Sequence, residues 1–106
     1  MQSQTVILDR DHLARQTMED EDLQREVLQL FTDQMVLKLG QLDVGVVDRK
    51  EYAHSIKGAA KGIGAWQVAH AAEALEAGKG DTQNLVQALR LAVDETLLEI
   101  RSILNT

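Results

Sequence analysis

Apolar residues recur every three or four positions along most of the chain, and this spacing is typical of amphipathic α-helices. Capping and turn residues divide the pattern into five predicted helices, at about 10–18, 21–43, 49–64, 65–77 and 82–104. The predicted N-caps are Asp9, Asp48 (with Glu51 completing a capping box) and Asp81, and the predicted turns and ends are Gly45, Gly62, Gly64, Gly78 and Gly80. Long helices with short connections predict an all-α, antiparallel up-down four-helix bundle with a short additional N-terminal helix across one end.

The predicted inward faces differ in how sharply the pattern defines them. The third helix places Tyr52, Ile56, Ala60 and Ile63 on one side, and the fifth has a clean face comprising Leu85, Leu89, Ala92, Val93, Thr96, Leu97, Ile100, Ile103 and Leu104. On the second helix, a stripe of Leu23, Val27, Leu30, Phe31, Gln34 and Leu37 is widened by Leu28, Met35, Leu39 and Leu42. This arc of about 200° is more than one neighbour covers, so the helix either packs between two others or exposes a strip to a partner.

Composition narrows the class of protein. The 106 residues include no proline, no cysteine and three aromatic residues, and the formal net charge is −6. We expect one domain over residues 1–106, without strands, disulfides or thiolate chemistry. The acidic balance argues against nucleic-acid binding, and no apolar run is long enough for a membrane span. These features predict a cytoplasmic protein that binds neither nucleic acid nor membrane.

One histidine lies on the polar face of the third helix. At about 100° per residue, with His54 at zero, Lys57 falls at about −60°, Lys61 at about −20° and Gly58 at about +40°. The apolar residues of this helix lie on the opposite side. The sequence therefore predicts an exposed imidazole inside a local basic cluster of an acidic protein.

Other chemistries lack support in the sequence. Ser55 adjoins His54 but diverges from it by about 100°, and His12, His54 and His70 share no i, i+4 spacing for a metal. No phosphate-binding glycine loop is present. A single exposed histidine remains, as a nucleophile or carrier whose phosphate the nearby lysines would offset. Gly58 either clears space for a partner or permits close helix packing.

These residues form a recognisable motif. Its members here are Ala53, His54, Lys57, Gly58, Ala59, Ala60 and Gly64, with Ile56 in place of the usual leucine. The segment closely resembles the signature of histidine-containing phosphotransfer (HPt) domains of two-component phosphorelays. The Leu75–Glu76 pair resembles the Leu-Glu that often ends the following helix in that family.

The resemblance implies a function. His54 would accept the phosphoryl group, Lys57 would assist the phosphate and Gly58 would give access. The partners would be a (hybrid) histidine kinase and response-regulator receiver domains, whose aspartate exchanges the phosphoryl group. The receiver would supply Mg²⁺, so we expect no cofactor or metal on this chain, which would be a carrier and not a kinase. Dimerisation domains of kinases usually follow the histidine with an acidic residue and a later proline, whereas Ser55 follows here, which favours a monomeric HPt domain.

The sequence also predicts a docking rim. Residues equally far from the turn near residue 46 should lie side by side, so Met35, Lys38 and Leu39 are candidates beside His54, and residues near 74 of the fourth helix should flank it from the other side. Lys61, on the His54 face of the third helix, is a further candidate binding residue. The alternative for Met35 and Leu39 is the core. Trp66 is expected to pack under the first helix or near the interface, and His12 and His70 are expected at the surface. Two other functions stay open: a receiver-binding adaptor without transfer, and a metal- or acid/base-dependent hydrolase.

Overall fold

The computed structural model describes residues 6–44 and 48–106, and every regular element in that part of the chain is a helix. The helices are α1 (Arg10–Gln16), α2 (Glu21–Val44), α3 (Arg49–Ile63), α4 (Trp66–Ala77) and α5 (Thr82–Leu104). The five predicted helices are confirmed, although α1 ends two residues earlier than predicted. Among the described residues, every helix is too short or too polar to span a bilayer.

The four longer helices close into a bundle. Neighbouring helices pack in the order α2–α3–α4–α5, and α5 returns to α2. Arg25, near the start of α2, donates to the carbonyls of Ile103 and Leu104 at the end of α5, so these two helices are antiparallel. Tyr52 donates its hydroxyl to the carbonyl of Lys38 and ties α3 to α2. This arrangement confirms the predicted four-helix bundle with an extra N-terminal helix.

The helix ends follow the predicted capping chemistry. Asp9, Asp48 and Asp81 each accept a backbone N–H from the first turn of their helix, which satisfies donors that have no partner inside it. Gly64 and Gly78 end α3 and α4 with φ of 83° and 68°, a conformation that favours glycine. The predicted turn at Gly45 lies outside the described residues.

The core lies along the axis of the bundle. The predicted inward residues of α3 are all buried, and the centre of the predicted α5 face is buried as well. The largest fully buried side chains are Leu13, Leu28, Met35, Ile56, Leu75, Leu89, Ile100, Val68, Val93 and Thr96. Burying aliphatic side chains of this size contributes about 1.5–3 kcal/mol each, so the bundle is held mainly by this core.

The predicted stripe on α2 is partly wrong. Phe31 is buried as expected, but the inward line continues through Leu28 and Met35, while Leu30 and Leu37 are 58% and 64% exposed. Because the apolar arc is wide, α2 could pack in more than one rotation about its axis. Its contacts with α3 and α5 select the rotation that buries Leu28 and Met35. The rotation leaves an apolar strip on the outside of α2.

Helix α1 is fastened across the end of α3. The backbone N–H of Asp9 donates to the carbonyl of Gly64, and His12 donates Nε2–H to the carbonyl of Lys61 at 2.9 Å. Trp66 packs against α1, and the centre of its ring lies 4.9 Å from that of the His12 ring. Of the two positions predicted for Trp66, the one against the first helix is therefore confirmed. His12 was expected at the surface; it is half-buried there, and its ring also joins α1 to α3, which the sequence did not predict.

Candidate functional site

Helix α3 presents His54 to solvent. Its buried side, with Tyr52, Ile56 and Ala60, packs into the core and fixes how the helix is turned. The imidazole of His54 is on the other side, and its side chain is 71% exposed. The predicted exposure of His54 is confirmed, and the ring stands on a helix whose position is set by packing.

The carboxylate of Glu76 on α4 fixes the orientation of the histidine ring. Nδ1 of His54 lies 3.0 Å from Oε2 of Glu76. An ionised carboxylate only accepts hydrogen bonds, so the hydrogen must sit on Nδ1. In the neutral ring this leaves the lone pair on Nε2, and Nε2 is the atom available as a nucleophile.

Lys57 holds the second oxygen of the same carboxylate. Its Nζ lies 2.8 Å from Oε1 of Glu76, and both side chains are largely covered. The hydrogen bond from Lys57 lowers the pKa of Glu76 below its usual value, and the bond from His54 lowers it further. The same bond to Glu76 raises the pKa of Lys57. Glu76 is therefore ionised at neutral pH, and His54, Lys57 and Glu76 form one connected group.

Space is open beside the imidazole. Apart from its chain neighbours and the adjacent backbone of α3, a Cβ placed on Gly58 would have none of the described atoms within 4 Å, and Gly58 is exposed. Close helix packing at Gly58 is therefore excluded, which leaves the interpretation that the bare backbone clears space. Lys61 is also exposed on this side of α3.

The predicted docking rim needs correction. Met35 is only 1% exposed, so its assignment to the rim is wrong and the core alternative holds. Leu39 is half-buried and packs against the core. Lys38 is half-buried too, with Nζ 5.6 Å from the centre of the Tyr52 ring. Among the side chains of α2 that the structure describes, the large apolar residues that are exposed are instead Leu30, Val36 and Leu37.

A shallow apolar groove lies between α2 and the end of α3. It has a volume of about 300 Å³ and lies where α1, α2 and α3 meet, with Leu30, Gln34, Ala59 and Gly62 among its lining residues. Leu37 follows Leu30 by two helical turns and shares its face of α2. The α2–α3 surface thus carries exposed apolar residues, whereas on the α4 side His54 contacts the charged Glu76.

Glu76 is the residue that sequence reasoning missed. It is 22 residues from His54 and reaches the ring only because α3 and α4 pack side by side. The sequence offered one indication of Glu76, because the Leu75–Glu76 pair resembles a feature of the HPt family. The spacing of residues along the chain did not indicate that Glu76 contacts His54. Among the described residues, no group of three or more histidine and carboxylate side chains could hold a metal ion.

Comparison with known proteins agrees with this geometry. The model of the Hpt domain family matches residues 26–102, a range that includes all of α3 and α4. The crystal structure of histidine phosphotransferase ShpA from Caulobacter crescentus is similar to this chain, with a TM-score of 0.78 and 32% sequence identity. That similarity covers 92% of this chain and 90% of the ShpA chain. A search of curated proteins gives no significant match.

Proposed function

Because the chain belongs to the Hpt domain family, whose members are phosphocarrier modules that work with histidine kinases and receiver domains, we propose that His54 is its phosphoacceptor. In this proposal the domain exchanges the phosphoryl group with the aspartate of a response-regulator receiver domain. The observation that carries it is the exposed ring of His54, which is bonded through Nδ1 to Glu76 and leaves Nε2 open.

The chemistry needs little from this chain. The lone pair on Nε2 attacks phosphorus, a P–N bond forms, and the P–O bond to the receiver aspartate breaks with its electron pair on the carboxylate. Lys61 and Lys57 lie on the same face of α3 as His54 and would offset the negative charge of the phosphoryl group. The receiver domain supplies Mg²⁺ in this proposal, and the kinase supplies the nucleotide site.

The docking surface proposed here is the α2 side of the site, defined by Leu30, Leu37, Gly58 and Gly62. Leu30 and Leu37 are exposed on one face of α2, and covering them with a partner would remove apolar surface from water. The groove beside Leu30 continues to Gly62, one turn beyond Gly58. A receiver that rests on this strip places its acidic pocket near the basic side chains around His54, although the chain as a whole carries a net charge of −6.

The proposal is tested by measuring transfer of the phosphoryl group from receiver domains to the wild-type domain and to two histidine variants. The wild-type domain, His54→Gln and His70→Gln are each incubated with phosphorylated receiver domains and Mg²⁺, and acid-labile phosphate on this chain is followed. His70 is an exposed histidine on α4, so it serves as the control. We expect label on the wild type and on His70→Gln, and none on a folded His54→Gln. Label that survives His54→Gln would overturn the proposal, and no label from a complete receiver panel would favour the non-transferring adaptor.

A further inference from the structure

An apolar ridge lies on the outside of α5, away from His54. Leu91 and Leu98 are 61% and 64% exposed, and their spacing of two helical turns puts them on the same face of the helix. Val36 on α2 is 62% exposed. Because Arg25 of α2 bonds to the end of the antiparallel α5, Val36 is level with the part of α5 that contains Leu91. Together, Val36, Leu91 and Leu98 form the outer face of the bundle.

Two shallow grooves accompany this ridge. The first has a volume of about 560 Å³ and lies between α2 and α5. Its lining residues include Gln29 and Thr32 from α2 and Asp94, Leu97, Leu98 and Arg101 from α5. The second, of about 530 Å³, includes Leu91 and shares Asp94 with the first. The grooves follow one another along α5, so the outer face can receive a helix that lies along α5.

The outer face is separate from the surface proposed for the receiver. Helix α5 packs against α2 and α4, so His54 on α3 lies diagonally across the bundle from it. On α2, Val36 is about 100° around the helix from Leu37, which belongs to the receiver strip. A molecule on the outer face would therefore leave His54 open.

Two charged residues flank Leu98 in a self-complementary pattern. With Leu98 at zero on the helical wheel, Asp94 falls at about −40° and Arg101 at about −60°, so both lie on the side of α5 that faces the groove. Both are exposed. Asp94 is one turn before Leu98 and Arg101 is one turn after it, which separates the opposite charges by about 10.5 Å along the axis.

A second copy of the same helix matches this pattern. A two-fold axis perpendicular to α5 beside Leu98 makes two α5 helices antiparallel, brings the Leu98 side chains together and sets each Asp94 opposite Arg101 of the other copy. A two-fold axis parallel to α5 would instead set like charges at equal heights. An antiparallel register with Leu91 opposite Leu98 would gather Asp94 and Glu95 of both copies at the centre. The charges therefore select the antiparallel register centred beside Leu98.

From this pattern we propose that two copies of the chain form an antiparallel dimer through the outer face, with Leu98 at its centre and two Asp94–Arg101 pairs beside it. Covering the exposed leucines removes apolar surface from water, and the charge pairs fix the register. The dimer displays two His54 rings, each on the far side of its own bundle. This assembly does not depend on whether His54 accepts a phosphoryl group.

Sedimentation equilibrium tests the dimer. Between about 5 µM and about 1 mM, the range in which a small interface associates, the average mass should rise from the 11.8 kDa of one chain towards twice that value. Because each leucine occurs twice in the contact, Leu98→Gln should raise the Kd of the dimer by about a hundredfold. Leu37→Gln is the matched control, since Leu37 is equally exposed but lies outside the outer face, and it should associate like the wild type.

Charge reversal tests the register. Asp94→Arg and Arg101→Asp should each raise the Kd by about tenfold, because each sets like charges opposite one another twice. The double variant restores opposite charges and should associate within about threefold of the wild type. A double variant as weak as the single variants would overturn the antiparallel register.

Two results would overturn the dimer itself. One is a wild-type chain that keeps the mass of a single copy up to about 1 mM, as the monomer expected from the sequence would. The other is a Leu98→Gln variant that associates like the wild type. If the wild type stays monomeric and Leu98→Gln lowers the affinity for a receiver domain, the outer face binds the receiver instead of a second copy.

Discussion

Trp66 donates its indole N–H to Oδ2 of Asp9 at 2.9 Å, while Oδ1 of the same carboxylate accepts the backbone N–H of His12 at 3.0 Å. One side chain therefore caps α1 and also ties α1 to the first residue of α4. Because the backbone of Asp9 bonds to Gly64, the start of α1 is fixed against the junction of α3 and α4. The attachment of α1 to the bundle depends heavily on Asp9.

Asp9→Ala should destabilise the domain more than the loss of an ordinary helix cap. The substitution removes the cap, worth about 1 kcal/mol, and leaves a half-buried indole N–H without its acceptor, which costs about 1–2 kcal/mol more. Asp81→Ala is the matched control, because Asp81 caps α5 by a bond to Gln83. Urea denaturation should show the larger loss for Asp9→Ala, and equal losses would contradict the double role.

The contribution of Asp9 should depend on pH in a defined direction. The hydrogen bond from Trp66, followed by that from the backbone of His12, lowers the pKa of Asp9 in the folded protein. A lowered folded-state pKa means that the ionised carboxylate stabilises the fold above the unfolded pKa of about 3.9, and that this stability is lost as pH falls through the folded value. The difference in unfolding free energy between wild type and Asp9→Asn should therefore be full near neutral pH and shrink below about pH 4. A difference that does not change in acid would contradict this prediction.

Met18→Gly should stabilise the domain. Met18 and Glu19 follow α1 with φ of 53° and 61°, and their backbone N–H groups bond back to the carbonyls of Arg15 and Ala14. This left-handed helix ending favours glycine, and an L-residue pays about 1–2 kcal/mol there. After the larger chain entropy of glycine is subtracted, we expect a gain of about 0.5 kcal/mol. The control Gln16→Gly, in the last turn of α1, should lose stability instead, and a loss in both variants would contradict the argument.

The sequence predicted α3 and α5 better than α2 for a physical reason. In α3 and α5 the apolar residues occupy a narrow arc, so the helix can bury them in one orientation only. In α2 the arc is about 200° wide, and several orientations bury similar apolar area. Packing against two neighbours then decided that Met35 faces the core and Leu37 faces water. The existence and bounds of α2 were predictable, but its rotation was not.

In the site, too, the features that one helix determines were predictable, and the contacts between helices were not. The exposure of His54 followed from its position relative to Ile56 and Ala60, which a single helix determines. The bond to Glu76 depends on the register between α3 and α4, which the sequence pattern specifies only to within a few residues. Residues near 74 were expected to flank His54, and the residue that contacts it is two positions later. A hydrogen bond requires that register to be known to better than one residue.

Gly58→Ala should separate stability from transfer. An added Cβ meets none of the described atoms within 4 Å apart from its chain neighbours and the adjacent backbone of α3, so alanine should stabilise α3 by about 0.5–1 kcal/mol. The methyl group would occupy space beside His54, and displacing an approaching receiver by a fraction of an ångström should slow transfer by about tenfold or more. Gly40→Ala is the control, since Gly40 is equally open on α2 and should gain stability at an unchanged transfer rate. Transfer at the wild-type rate in Gly58→Ala would show that clearance there is not needed.

Leu37→Gln should weaken receiver binding if the strip on α2 is the docking surface. Leu37 and Leu98 are each 64% exposed, but Leu98 is on α5, diagonally across the bundle from α3. Covering an exposed leucine contributes about 1–2 kcal/mol, so its loss should raise the Kd for the receiver by about tenfold. Both substitutions replace a solvent-facing leucine and should leave the helix content measured by circular dichroism unchanged. Titration of a receiver domain should show the tenfold loss for Leu37→Gln and wild-type affinity for Leu98→Gln, whereas the reverse order would move the docking surface to the α2–α5 side of the bundle.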